Sequence, residues 1–167
     1  MAIIKAPQKS NFDIKKKRIQ SILAPLDGSK FSIHALNFAI NLAKFTGSKI
    51  TGIFVISVGV SPVPLDQIFD PLSSIEPKDH KSKMTKKGRR ILEQAEKRCM
   101  QNKIIFAKNV MFGNPGNNVI RFAEIKKNDV GLVIMGSRGQ WHAGGILLER
   151  VSCNVVHKSK KSVMIVK

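Results

Sequence analysis

The sequence predicts an α/β fold: one doubly wound, Rossmann-like domain whose five-stranded, mainly parallel sheet has helices on both faces. Two observations carry this prediction. Short apolar runs alternate with segments whose apolar residues recur at helical spacing, and glycine- or proline-containing turns separate them. Because parallel neighbours need crossover helices, and those crossovers are right-handed, a doubly wound sheet is the simplest architecture for this alternation.

The composition is that of a globular protein with an unusual charge. At 167 residues the chain can form one domain with a substantial core, and 43% hydrophobic with 24% charged residues is ordinary. The net charge of +18 favours contacts with nucleic acid, anionic membranes or polyphosphates; a merely solvated basic surface is the alternative. Residues 2–4 are too few for a signal-peptide core and no run approaches membrane-spanning length, so we expect a cytoplasmic protein.

The first elements lead into an acidic turn. Residues 1–18 are polar and basic without sustained periodicity and are predicted to form a flexible arm, which leaves 19–167 as the domain. The apolar run 21–26 predicts the first strand. Asp27-Gly28-Ser29 directly after it predicts a turn.

A helix and a buried strand are expected next. Ser29 or Ser32 suits the N-cap of the helix, and Gly47 suits its end because glycine readily adopts positive φ. Residues 49–57 are apolar on both faces, as expected of a covered parallel strand. Three interpretations stay open for the proline-rich connection 58–77: a lid over a ligand, part of a subunit contact, or an ordinary surface excursion.

The alternation continues with the most basic element. A helical pattern covers 78–102, and nine basic against three acidic residues lie between positions 78 and 98. A third strand is predicted at 104–111. Asn114 and Pro115 then suit the cap and the first turn of a third helix.

The last part of the chain predicts a ligand site. We expect the fourth strand at 130–135, a glycine-containing loop at 136–145, a helix at 146–158 and a terminal strand at 162–167. Ligands of doubly wound sheets bind at the carboxyl ends of the strands, where the strand order reverses. The loop after the fourth strand is therefore expected to meet the turn at 27–29, and its glycines suit the backbone approach of a phosphate.

Other kinds of site lack support. No G-x-G-x-x-G follows the first strand and no G-x4-G-K-[ST] occurs, which excludes a dinucleotide fingerprint and a P-loop. Cys99 and Cys153 belong to no CxxC pair and are predicted to be reduced, buried thiols. Cys153 and His157 share a helical face, but two ligands do not make a metal site. Without a recognisable catalytic set, any enzymatic activity is expected to be slow ATP hydrolysis at most.

Four stretches carry a resemblance to a known family. They are Pro25-Leu26-Asp27-Gly28-Ser29, Gly113-Asn114-Pro115, Gly136-Ser137-Arg138-Gly139 and Ser162-Val163-Met164-Ile165-Val166. Together they resemble the universal stress protein (UspA-domain) family, from about residue 18 to residue 167. The resemblance implies a Rossmann-like domain, a stress-response or regulatory role without an established reaction, and often a homodimer formed through the terminal strand, 162–167.

The resemblance also implies a nucleotide site. Family members that bind ATP use an aspartate after the first strand and a phosphate loop of the form G-x2-G-x9-G-[ST]. The residues here that match those positions or lie beside them, and would bind ATP with magnesium, are Pro25, Asp27, Val55, Met135, Gly136, Arg138, Gly139, Arg150 and Val151.

The second half of that loop departs from the family, because Glu149 and Arg150 stand where the family has Gly-Ser. A carboxylate about 4 Å from another negative charge is repelled by roughly 4 kcal/mol at an effective dielectric constant near 20. Arg138 and Arg150 could supply charge-assisted hydrogen bonds instead. Two functions stay open: an ATP-binding regulatory protein, and a UspA-type dimer that binds no nucleotide.

A further alternative is binding of nucleic acid or another polyanion through the basic helix at 78–98 and the arm at 15–18. The chain has no Tyr, one Trp and nine Phe. We predict that the phenylalanines fall mostly in the core, which leaves few rings for base stacking. A salt-sensitive, sequence-independent interaction is all that this composition predicts.

Overall fold

The computed structural model of the chain describes residues 19–57, 77–139 and 151–167. Within them lies one sheet in the strand order β3-β2-β1-β4-β5, and every neighbouring pair is parallel. The strands are β1 (Ser21–Pro25), β2 (Lys49–Ile56), β3 (Phe106–Phe112), β4 (Val130–Gly136) and β5 (Ser162–Val166). The predicted fold class is therefore confirmed, and the described sheet is parallel throughout.

The helices cover both faces of this sheet. They are α1 (Lys30–Thr46), α2 (Pro77–Gln101), α3 (Pro115–Glu124) and α4 (Val151–Lys158), with a 3-10 turn at Lys126–Asn128. Apolar side chains of α1 and α2 pack with Ile22 and Ile50 on one face. Side chains of α3 and α4 pack with Leu23 and Val133 on the other face. Alternate residues of β1 thus enter two separate cores, as a strand covered on both sides requires.

Short-range sequence signals set the ends of α1 and α3. Ser29 is the N-cap of α1, because its hydroxyl oxygen accepts a hydrogen bond from the Ser32 N–H at 3.1 Å. Gly47 ends α1 with φ of 70°. The side chain of Asn114 caps α3 in the same way, and Pro115 begins that helix. These predictions are confirmed, and Ser29 rather than Ser32 is the cap.

The third strand begins later than predicted. Ile104 and Ile105 were expected in the strand, yet β3 starts at Phe106. The Ile104 N–H donates to the carbonyl oxygen of Cys99 at 2.9 Å, so this residue closes the end of α2 instead. Lys103 makes that turn possible with φ of 59°. Apolar composition alone did not distinguish a helix end from a strand start.

Of the seven phenylalanines in the described residues only two are buried and two are half-buried, so the prediction that these rings lie mostly in the core was wrong. Phe54 and Phe122 are buried, but Phe38 is 44%, Phe45 90% and Phe112 44% exposed. The position of each phenylalanine in its helix or strand determines how exposed its ring is. A ring that points away from the sheet has no neighbouring element to pack against. Several predictions fall outside the described residues: the arm, most of the connection 58–77, and the loop and helix start at 140–150.

Candidate functional site

The strand order reverses at β1, which pairs with β2 on one side and with β4 on the other. The chain therefore leaves β1 and β4 at the same edge of the sheet, and their loops meet there. The Asp27 carboxylate oxygen Oδ2 lies 2.8 Å from the position that a Cβ on Gly139 would occupy. Any side chain at position 139 would have to displace that carboxylate. The two predicted halves of the site are thus in direct contact.

Asp27 is held in place by its own turn. Its Oδ1 accepts a hydrogen bond from the Ser29 N–H at 2.9 Å, and Gly28 adopts the left-handed conformation with φ of 83°. The carboxylate is partly buried. One oxygen therefore maintains the turn while the other faces the loop after β4, so a turn role and a ligand role are compatible at this residue.

Gly136 has a packing role that the phosphate-loop motif did not indicate. A Cβ at this position would lie 2.7 Å from the carbonyl carbon of Phe31 and 2.8 Å from its carbonyl oxygen. Both are backbone atoms in the first turn of α1, which cannot rotate away. The end of β4 and the start of α1 can approach this closely only because position 136 lacks a side chain.

Three further predicted residues lie at the carboxyl ends of neighbouring strands. Met135 is buried in the core of α3 and α4, and Val55 packs against the same core. Pro25, partly buried at the end of β1, belongs to the same face by strand alternation. Val151 at the start of α4 also packs against this core. Arg150 and Glu149 lie outside the described residues.

Positive charge gathers around one aromatic ring at the mouth of the crevice. The guanidinium carbon of Arg138 lies 5.7 Å from the centre of the Phe31 ring, and the ammonium of Lys30 lies 5.3 Å from it. The first turn of α1 contains no acidic residue. The helix N-terminus adds its own partial positive charge. Sequence reasoning missed Lys30, although its place just after the turn of Asp27 was a usable signal.

A hydrogen bond between two side-chain amides joins α3 to α4, and sequence reasoning also missed it. The Asn154 side chain is buried, and its Nδ2 donates to Asn117 Oδ1 at 3.4 Å. A Cβ on Gly116 would lie 2.6 Å from that Nδ2, so the amide has room only because position 116 lacks a side chain. Within the described part of the chain the Asn154 Oδ1 has no hydrogen-bond partner. An asparagine between apolar helical positions was the available signal.

The two cysteines differ in environment. Cys99 is buried as predicted, and burial, with a smaller effect of the nearby Glu96 carboxylate, raises the pKa of its thiol to about 11. Cys153 is exposed, so its predicted burial was wrong; the inward stripe of α4 is formed by Asn154 and Val155 instead.

Among the described residues no group of three His, Cys, Asp or Glu side chains could hold a metal ion. No helix within those ranges is long and apolar enough to cross a membrane.

The fold and the crevice define a class: a Rossmann-like α/β domain that presents two loops at the switch point of a parallel sheet. Residues 18–167 match the model of the universal stress protein family. The chain therefore belongs to the universal stress protein family. It is 29% identical over 151 residues to universal stress protein MJ0531 of Methanocaldococcus jannaschii, covering 89% of this chain and 82% of that protein.

Solved structures share the same fold. The universal stress protein UspA from Lactobacillus plantarum superposes with a TM-score of 0.72 at 16% identity, covering 90% of this chain and 99% of that one. A universal stress protein in complex with cAMP gives 0.63 at 21% identity over 89% and 97%. One from Archaeoglobus fulgidus in complex with dAMP gives 0.58 at 15% identity over 90% and 99%. At these identities the likeness is one of fold.

Proposed function

We propose that this universal stress protein is a cytoplasmic regulatory factor of the stress response that binds an adenine nucleotide, ATP with magnesium, between the loops after β1 and β4. The contact between Asp27 and Gly139 carries the proposal, since it unites both loops where doubly wound sheets bind ligands. Two structures of the same fold are complexes with cAMP and dAMP, which supports the adenine nucleotide as the ligand class.

The proposed arrangement divides the crevice into two parts. Asp27 contacts the base and ribose, together with Pro25 and Val55 at the ends of β1 and β2. The backbone from Met135 through Gly136 to Gly139 faces the phosphates. Three residues complete the phosphate side in this proposal: Arg138, Arg150 and Val151.

The charges of the crevice favour a polyphosphate despite Glu149. Lys30 and Arg138 both approach the ring of Phe31, so two cations lie at the entrance. Arg150 adds a third positive charge directly beside Glu149 in the sequence. A phosphate group attracts these three cations by the same Coulomb law by which the carboxylates of Asp27 and Glu149 repel it, and the cations outnumber the carboxylates. We infer that the net field attracts ATP.

Calorimetric titration with ATP and magnesium tests this site. Replacing Arg138 by Gln removes one charge-assisted hydrogen bond, so the affinity for ATP is expected to fall about tenfold. Arg121→Gln is the matched control, because Arg121 is exposed on α3 and the same charge is lost. Absence of saturable binding at millimolar ATP to the unaltered protein would overturn the proposal.

A second variant separates the two roles of Asp27. In Asp27→Asn the side-chain oxygen still accepts from the Ser29 N–H, so the midpoint of urea unfolding is expected to stay unchanged. The remaining amide is a weaker acceptor than the carboxylate for hydrogen bonds from the base and ribose, so weaker ATP binding is the expected result. Equal ATP affinity in Asp27→Asn and the unaltered protein would limit this residue to its turn.

The departure from the family loop supports a second candidate, a universal stress protein that acts without nucleotide. Glu149→Gly combined with Arg150→Ser restores the family motif at these positions. Binding that appears only in this double variant would favour the nucleotide-independent function for the natural chain. Binding in both proteins supports the ATP-binding function. Cell fractionation checks the cytoplasmic location.

We also propose a homodimer formed through β5 and the terminal residues 162–167. Among the described strands β5 pairs only with β4, which leaves its outer edge open to a second copy. Ile165 is 36% exposed on this strand, and Val156 on α4 is 46% exposed. Ile165→Lys is expected to shift a dimer to a monomer in size-exclusion chromatography with light scattering. Ile125→Lys, 46% exposed at the end of α3, is the control; a monomeric unaltered protein would refute the dimer.

A further inference from the structure

The outer face of α1 carries a stripe of rings separated by an amide. His34, Phe38, Asn41 and Phe45 follow each other at three- and four-residue steps and are all exposed. Phe38 and Phe45 lie two helical turns apart, about 10 Å along the axis. At this distance the two rings do not touch and do not form one continuous apolar patch. Each ring is a separate surface on which another planar group could stack. The stripe runs away from the proposed nucleotide crevice, which lies at the other end of α1.

The same side of the molecule is strongly basic. No Asp or Glu occurs in α1, and α2 packs beside it on the same face of the sheet. Between residues 81 and 101 the acidic side chains are Glu93 and Glu96, and Glu96 forms an ion pair of 2.6 Å with Lys108. The exposed cations of this segment are Lys81, Lys83, Lys86, Lys87, Arg89, Arg90, Lys97 and Arg98.

A hydrogen bond links the ring stripe to the basic helix. The guanidinium Nη1 of Arg98 donates to the side-chain oxygen of Asn37 at 3.5 Å. Asn37 is next to Phe38, so the cations of α2 begin directly beside the stripe. Lys83, Arg90 and Lys97 recur every second turn, about 10 Å apart, on the outward side of α2.

We propose that single-stranded nucleic acid binds across this α1–α2 face. Its bases stack on Phe38, Phe45 and the His34 imidazole, as bases of single strands stack on aromatic side chains. The Asn41 amide, between the two phenylalanines, can donate to and accept from base edges. Lysines and arginines of α2 neutralise the phosphates. This surface goes beyond the proposed nucleotide crevice and shares none of its residues.

Other occupants fit the same face less well. A second copy of the chain would place like charges opposite each other in a two-fold interface, which is repulsive. An anionic membrane favours a wide continuous apolar stripe, whereas the amide of Asn41 separates Phe38 from Phe45. Duplex DNA keeps its bases stacked inside, where Phe38 and Phe45 cannot reach them.

Fluorescence anisotropy with a labelled oligo-dT strand of about 12 nucleotides tests the proposal. Phe38→Ala combined with Phe45→Ala is expected to weaken binding about tenfold for each ring. The salt dependence of binding should stay the same, since no cation is removed. Ile125→Ala is the matched control, because Ile125 is 46% exposed, close to the 44% of Phe38, but lies at the end of α3, on the opposite face of the sheet. Phe45→Ala alone covers the case in which the double variant folds poorly.

A second pair of variants tests the cations. Lys83→Gln with Arg90→Gln should reduce the slope of log affinity against log salt by about 1.4, if each contacts one phosphate of the single strand. Lys126→Gln with Lys127→Gln removes the same charge from the turn after α3 and should leave that slope unchanged.

Three results would overturn the proposal. The first is equal affinity of the unaltered protein and the Phe38→Ala, Phe45→Ala variant for oligo-dT. The second is equally tight binding of a duplex of the same length, which would reduce the interaction to general charge attraction. The third is a Phe38→Ala, Phe45→Ala variant that loses affinity for vesicles of anionic phospholipid but not for oligo-dT. Calorimetry with ATP on the same variants keeps this proposal separate from the nucleotide site, because ATP binding is expected to be unchanged.

Discussion

Replacing Gly136 by alanine tests how β4 is joined to α1. The new Cβ would lie 2.7 Å from the carbonyl carbon and 2.8 Å from the carbonyl oxygen of Phe31. Comfortable contacts between carbon atoms begin at about 3.5 Å, so the first turn of α1 has to move by several tenths of an ångström. That turn carries Lys30 and leads back to Asp27. The substitution is therefore expected to disturb both the stability of the domain and the nucleotide crevice.

The magnitude follows from two opposing effects. Inserting a methyl group into a well-packed region destabilises a protein by about 1–3 kcal/mol. Alanine also restricts the unfolded chain, which stabilises the folded state by about 0.4–1 kcal/mol. We expect Gly136→Ala to lower the free energy of unfolding by about 1–2 kcal/mol. The overpacking effect exceeds the entropy effect because the obstructing atoms belong to the backbone.

Urea unfolding followed by circular dichroism measures this loss. With a slope of about 2 kcal/mol per molar urea, the midpoint should fall by about 0.5–1 M. Gly131→Ala in the same strand is the control, since its Cβ would meet the Ile19 Cα at 3.3 Å, where a small adjustment suffices. Its midpoint is expected to change little or to rise. Equal midpoints for Gly136→Ala and the unaltered protein would refute the reasoning.

Three further predictions concern the cap of α1 and the two thiols. Ser29→Ala removes the hydrogen bond to the Ser32 N–H and should lower the free energy of unfolding by about 1 kcal/mol; Ser82→Ala, exposed within α2, should not. Cys153 should react with a thiol reagent in the folded protein, whereas Cys99 should react only after unfolding; equal rates would contradict this. The folded-state pKa of Cys99 is raised to about 11, so its contribution to stability is present below about pH 9 and is lost as the pH rises toward 11. Urea midpoints measured across that range should fall with pH, and less so in Cys99→Ala.

Local signals in the sequence predicted more of the fold than of the site. Ser29, Gly47 and Asn114 act on backbone groups within three or four residues of themselves, so their roles can be recognised without knowing the fold. The end of α2 was harder to predict. Ile104 has strand composition, but its N–H completes the helix turn at Cys99. An apolar residue next to a helix end satisfies both patterns, and hydrogen bonding decides between them.

The surface was predicted least well. Phe38 and Phe45 are apolar, but their helical positions point away from the sheet. A residue's type indicates how often such residues are buried in proteins in general. It does not indicate which side of a helix faces the neighbouring elements. Exposed rings beside the cations of α2 changed the expectation for nucleic acid from nonspecific attraction to a proposed stacking surface.

The sequence by itself determined the order of strands and helices, the caps of α1 and α3, and membership of the universal stress protein family, because periodicity, capping and motifs are properties of neighbouring residues. Only the tertiary structure decided which distant residues meet. The Asp27 carboxylate against Gly139 and the Phe31 backbone against Gly136 are contacts of this kind. They exist because parallel strands bring their carboxyl ends to one edge of the sheet, where separations along the chain no longer matter.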